Sequence, residues 1–211
     1  MWPEQFKTQD LLLKAGDGDE DAINYLMERH RDALRRLVQM RLDRKIRQRV
    51  DVSDIVQDVL VEANRRLRSY IADGKMPFHL WLRHIARDRI IDAHRRHRGS
   101  AKRSVDREMT MAIPSGQDQS SIQLAAQLGD EGITPAAAAL QKEMAQHVEA
   151  AMADLEDTDC EIIIMRHYEQ LTNQEVAQAL GLTEPAASMR YLRAIRRLRE
   201  LLQPDDESAE N

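Results

Sequence analysis

An all-α protein of two small helical domains joined by a flexible linker, the second a helix-turn-helix, is what this sequence predicts. Three observations carry that prediction. Aromatics make up 4% of the 211 residues and there are only 8 Gly and 6 Pro, while the helix formers Ala, Leu, Arg and Glu are frequent. Apolar residues recur at three- to four-residue spacing through most of the chain. Between residues 99 and 134 that periodicity lapses into Gly, Ser, Pro and Gln, which separates a domain over 1–98 from one over 135–203, with an acidic tail at 204–211. At 42% hydrophobic residues, each half has enough apolar side chain for its own core.

The N-terminal domain reads as four helices. A short one over Gln9–Ala15 is closed by Gly16 and Gly18, and a long one over Asp19–Arg41 carries Ala22, Tyr25, Leu26, Leu34, Leu37 and Val38 as its apolar stripe. Ser53 is the expected cap of a third helix, which runs to about Leu67 with Ile55, Val56, Val59 and Leu60 turned inward. Asp54, Asp58 and Glu62 follow one another at four-residue spacing, so their carboxylates line one edge, with Gln57 beside them. Two readings of that edge stand. Early acids favour the helix dipole, which accounts for Asp54 but not Glu62; alternatively the edge meets a basic protein partner. After a loop over Ser69–Pro77, the fourth helix starts at Phe78 and offers Phe78, Trp81, Leu82, Ile85 and Ile90 to the core and Arg83, Arg87, Arg95, Arg96 and Arg98 to solvent. Trp81 admits a strand-stacking role, but its spacing with Ile85 favours core packing.

Within the linker, Ile122–Leu128 has the composition of a short helix. Helical patterning resumes at Pro135, which suits a first turn, with Thr134 as its cap. The single Cys160, flanked by Asp159 and Glu161, cannot form an internal disulfide and reads as structural. From Leu171 to Leu202 come two short helices and a tight turn. Thr172 and Glu175 have capping-box spacing, Val176, Ala177 and Leu180 supply a buried side, and Gly181 permits the left-handed backbone that ends a helix. Leu182 packs back over the turn, Thr183 caps the next helix and Pro185 sits in its first turn. Ala187, Tyr191, Ala194 or Ile195, Leu198 and Leu202 form the second helix's inner face, leaving Ser188, Met189, Arg190, Arg193 and Arg197 elsewhere. Five arginines and no acid between Arg190 and Arg199 would repel one another unless phosphates neutralised them, so DNA is the expected partner. The plain alternative is an amphipathic hairpin with a solvated basic face.

Charge resolved along the chain supports the first reading despite a net −5. Residues 83–103 hold eight Lys/Arg against Asp88 and Asp92, whereas 104–134 holds five acids against Arg107 alone. The chain has no twenty-residue apolar run, and its start, MWPEQFKTQD, lacks a signal peptide's apolar stretch, so a cytoplasmic protein without membrane insertion is expected. A metal enzyme built on His79, His84, His94 and His97 is disfavoured. His94 and His97 lie three apart among arginines that repel a cation, and neither H-E-x-x-H nor a carboxylate cluster completes a site. No catalytic residue, cofactor or metal is expected.

The blocks LLLKAGDGDEDAINYLMERHRDALRRL, DVSDIVQDVLVEANRRL, FHLWLRHIARDRIIDAHRR and LTNQEVAQALGLTEPAASMRYLRAIRRLREL, in this order and spacing, resemble a bacterial sigma factor of the ECF (extracytoplasmic-function) type. The resemblance implies a protein that lends promoter choice to core RNA polymerase. It places Asp54, Gln57 and Asp58 on the polymerase beta-prime coiled coil and the second domain against the beta flap. It places Arg83, Arg87, Arg95 and Arg96 on the backbone of an opened minus-ten element, with Asp88 and loop residue Tyr70 at its bases. Asp88 stands where the family often has Asn and, ionised, accepts but does not donate, so the preferred base is expected to differ. In the minus-thirty-five element, Ser188, Met189, Leu192 and Arg193 would face base edges and Arg190, Arg196 and Arg197 phosphates; Ser188 and Ala186 stand where relatives often carry Lys or Arg and Thr. The resemblance also leaves room for an anti-sigma factor as partner, and for a sigma mimic that occupies such a protein without reading promoters. Mimics need not keep a basic recognition helix; this chain keeps its arginines.

Overall fold

Aspartate side-chain caps set where the second and third helices of the N-terminal part begin. The computed structural model describes residues 2–42, 49–98, 119–128 and 138–203. Helix α1 spans Gln5–Gly16, starting four residues before the expected Gln9, and the chain turns out of it through Gly18 at φ +88°. Asp19 accepts a hydrogen bond from the Ala22 amide at 3.0 Å and opens α2, Glu20–Arg41. The expected stripe on α2 is buried at Ala22, Leu26, Leu34, Leu37 and Val38, but Tyr25 is 60% exposed, and Met27 and His30 lie on the buried side instead.

Asp51, not Ser53, caps α3, which spans Val52–Asp73; its carboxylate accepts from the Ser53 amide at 2.8 Å. This helix runs six residues past Leu67 and stops at Gly74, whose φ of +51° is the left-handed C-cap. Tyr70 is therefore a helical residue, and the expected loop shrinks to a few residues before α4, Phe78–Arg98. Leu26, Leu34, Val59, Ala63, Leu82 and Ile90 form the shared core of α2, α3 and α4, with Trp81 and Tyr70 half-buried against it.

The chain divides into two compact units, Met1–Ala112 and Ile113–Asn211. In the second, α5 covers Gln119–Leu128, α6 Ala138–Ala153, α7 Asp157–Ile163, α8 Asn173–Leu180 and α9 Glu184–Leu202. Residues 119–128, read above as part of a flexible tether, belong to this unit. Ser121, Leu124 and Ala125, spaced as one helix face, are buried, and the Ser121 hydroxyl donates to Glu149 at 2.7 Å and lies 3.1 Å from the Tyr168 hydroxyl. A serine can be buried here because α6 and the chain after α7 supply its partners. The expected cap Thr134 and first-turn Pro135 lie outside the described residues.

Between α7 and α8 the backbone widens into a π turn over Ile164–Tyr168, with the Glu169 amide bonded to the Ile164 carbonyl five residues back. Gln170 then takes φ +57°, and the Arg166 guanidinium donates to the Leu171 carbonyl at 2.8 Å to hold the reversal. Cys160, Ile162, Ile163, Ile164 and Met165 are all buried, which makes Cys160 a core residue.

Candidate functional site

Local hydrogen bonds aim α9. The Thr172 hydroxyl accepts from the Glu175 amide at 3.2 Å while Glu175 accepts from the Thr172 amide at 2.8 Å, a closed capping box. Gly181 at φ +65° ends α8, the Leu182 amide reaches the Ala177 carbonyl at 2.8 Å, and Thr183 accepts from the Ala186 amide at 3.3 Å to start α9. Asn173 donates to the Glu184 carbonyl at 3.0 Å and ties the two helix starts together. Ala187, Ala194 and Leu198 are buried, with Tyr191, Ile195 and Leu202 half-buried beside them.

The opposite face of α9 is open. Met189, Leu192, Arg193 and Arg196 are exposed, and Ser188 and Arg190 half-exposed. Arg197, expected on phosphates, is exposed and also has acidic partners. One of its nitrogens lies 3.2 Å from Glu156 and 3.2 Å from Asp159, hydrogen bonds that hold its pKa above the ordinary arginine value. It ties α9 to the start of α7, where Glu156 just before that helix and Asp159 within it meet the arginine.

Sequence reasoning missed the residues that hold α9 from behind. His167 Nε2 and the Tyr191 hydroxyl are 2.8 Å apart with stacked rings, the Arg166 guanidinium lies 5.6 Å from the Tyr191 ring centroid, and Gln127 of α5 hydrogen-bonds the same hydroxyl. Burial, with Arg166 nearby, lowers the His167 pKa, so its imidazole favours the neutral form. The sequence signal was only the polar tip of Tyr191 on an otherwise apolar face.

In the first unit Asp54, Gln57 and Asp58 are exposed along one edge of α3, with Arg31 of α2 donating to Gln57 at 3.4 Å. Glu62 does not continue that edge. Each four-residue step rotates about 40° around the helix, so two steps carry Glu62 towards α4. There it is buried and paired with Arg65 at 2.7 Å, Arg66 and, across the helices, Arg89 at 3.3 Å. The Arg65 hydrogen bond first, and the charges of Arg66 and Arg65, hold its carboxyl below the usual range. Val61, 60% exposed, takes the place on the edge that Glu62 vacates.

On α4, Arg87, Asp88, Arg95 and Arg96 are exposed. Arg83 is a correction: at 2% exposure it lies on the same line as His79, Ala86 and Ile90, all buried, and is closed off from a DNA backbone. Tyr70 is also committed inward. Its hydroxyl donates to the Met76 carbonyl at 2.8 Å and its ring stacks on Trp81 with centroids 4.5 Å apart, so it closes the turn before α4 rather than extending from a loop towards bases. Trp81 accordingly packs on the core cluster. His79 and His94 are buried, and the His97 side chain lies outside the described residues. Among the described residues no cluster of three metal-ligating groups occurs, and no helix is long and apolar enough to cross a membrane.

Comparison with known proteins matches both halves. The Sigma-70 region 2 model matches residues 26–100 and the Sigma-70 region 4 model residues 151–200. The chain is 28% identical over 195 residues to the ECF RNA polymerase sigma factor ShbA of Streptomyces griseus, covering 90% of this chain and 93% of that protein. The fold resembles that of CnrH, solved in complex with the cytosolic domain of CnrY, at a TM-score of 0.55 and 23% identity over 95% of this chain and 99% of that one. With region 2 on α2–α4 and region 4 on the helix-turn-helix, in family order and with a relative aligned along nearly its whole length, the chain belongs to the ECF sigma factors.

Proposed function

We propose that this protein binds core RNA polymerase and directs promoter-specific initiation in the cytoplasm, supplying sequence recognition and no catalysis of its own. The observation that carries this reading is the outer face of α9, where Arg193 and Arg196 flank exposed Met189 and Leu192 on a helix capped and anchored from behind. That face enters the major groove of the minus-thirty-five element, with Ser188, Met189, Leu192 and Arg193 at base edges and Arg190 and Arg196 on phosphates. Arg87, Arg95 and Arg96 hold the backbone of the opened minus-ten strand, and Asp88 contacts a base through its acceptor oxygens. Unstacking that base costs a few kcal/mol, offset by binding only the open strand. Asp54, Gln57 and Asp58 dock on the beta-prime coiled coil, and the second unit meets the beta flap.

Transcription of a promoter library by core polymerase, with and without the protein, tests the reading. New start sites sharing two upstream elements are expected, and their absence overturns it. Asp54→Arg with Asp58→Arg is expected to abolish polymerase binding while the circular dichroism spectrum stays unchanged, since both residues are exposed. Retained binding would remove the docking edge from the proposal.

A further inference from the structure

Two large apolar side chains sit where a basic DNA-binding face has least use for them as packing. Met189 is 56% exposed and Leu192 55%, one helix turn apart on α9, while Ala187, Ala194 and Leu198 fill the core on the other side. Residues three apart on a helix bring their Cβ atoms within about 5–6 Å, so the two form one small apolar patch. Arg190, Arg193 and Arg196 surround it. A protein partner with an apolar knob would have to pair or desolvate those guanidinium groups, whereas a duplex offers them phosphates and offers the patch something apolar in the same groove.

In the major groove that apolar group is the C5 methyl of thymine. Leu carries neither a hydrogen-bond donor nor an acceptor and Met only a weak thioether acceptor, so neither side chain is suited to the polar edges of guanine, cytosine or adenine. We propose that Met189 and Leu192 recognise the methyl groups of two neighbouring thymines in the upstream promoter element, making thymine content there a matter of methyl contact. Half-buried Ser188 is small enough to let the helix approach that closely. The inference rests on α9 being the recognition helix.

The test uses holoenzyme assembled from core polymerase and the full chain, on a promoter found by start-site mapping, with binding measured by competition. Three changes are compared: scrambling the upstream element, replacing its thymines one at a time by deoxyuridine, which lacks only the methyl, and substituting Met189→Ala or Leu192→Ala. Roughly fourfold weaker binding per lost methyl is expected at two adjacent positions, and each alanine variant should lose sensitivity at one of them. If scrambling has no effect, α9 is not the reader and both readings fall. If scrambling weakens binding but no deoxyuridine does, or the element lacks thymine, the methyl proposal alone is overturned. Equal deoxyuridine sensitivity in wild type and both variants assigns the methyls to other residues and overturns it too. Loss of polymerase affinity without DNA in the variants would make the patch a protein contact, which likewise overturns the methyl proposal.

Discussion

His30 shows how burial alone sets a residue's chemistry. Its Nδ1 lies 2.8 Å from the Leu26 carbonyl, which can only accept, so the neutral ring carries its proton there. Packing against Phe78, with ring centroids 5.0 Å apart, and the resulting desolvation push its pKa down to about 4. The unfolded chain takes up this proton near pH 6.5 while the folded chain refuses it, so the stability is intact above that pH and drains away as pH falls towards 4. About 2–3 kcal/mol should be lost by about pH 4.5, read as the difference between wild type and His30→Gln in urea unfolding at neutral pH and at that lower one. Two arginines of one helix separate in the same way. Arg193→Ala should weaken promoter binding by roughly 1–3 kcal/mol at one base position without moving the melting temperature. Arg197→Ala should lower the melting temperature, because Asp159, 12% exposed, loses its cation.

At the scale of elements, the helix-turn-helix depends on a few hydrogen bonds within single turns. Thr172→Ala opens the capping box from the hydroxyl side, and a loss of about 1 kcal/mol is expected, seen as a lower melting temperature for the second unit. These contacts were readable in the sequence because a cap acts on residues two or three positions away, and Thr172, Glu175, Gly181, Thr183 and Pro185 stand at the required offsets. The α3 start was harder to read. Asp51 and Ser53 are both good caps two residues apart, and the choice fell to Asp51 because the helix already begins at Val52. The end of α3 was missed for a related reason. Arg68, Ser69 and Tyr70 carry no stop signal, and the left-handed turn waits for Gly74.

For the molecule as a whole, two compact units each enclose their own apolar core. Unfolding followed by calorimetry is expected to resolve two transitions. Acidification should lower the one that His30→Gln alters, and Thr172→Ala should lower the other; a single transition shifted equally by both changes would contradict this. The formal charge of −5 describes neither unit's working surface, since basic faces on α4 and α9 coexist with acids placed elsewhere. Residues 119–128 extend the second unit beyond the compositional boundary. A short helix there could be read from composition, but not its place in the second unit, where Ser121 is buried because Glu149 and Tyr168 supply its partners.

Helix periodicity, the caps and turn glycine of the helix-turn-helix and its arginine-rich outer face could be read from residue order, since each depends on neighbours within a turn or two. The fates of Arg83, Arg197, Glu62 and Tyr70 could not. Arg83, Glu62 and Tyr70 are drawn inward and Arg197, still exposed, is paired, by neighbours that residue order does not announce: Arg89 beside Glu62, Asp159 beside Arg197, Trp81 beneath Tyr70. Whether a charge faces water or a counter-ion depends on which helix lies against it, and that is fixed only when the cores close.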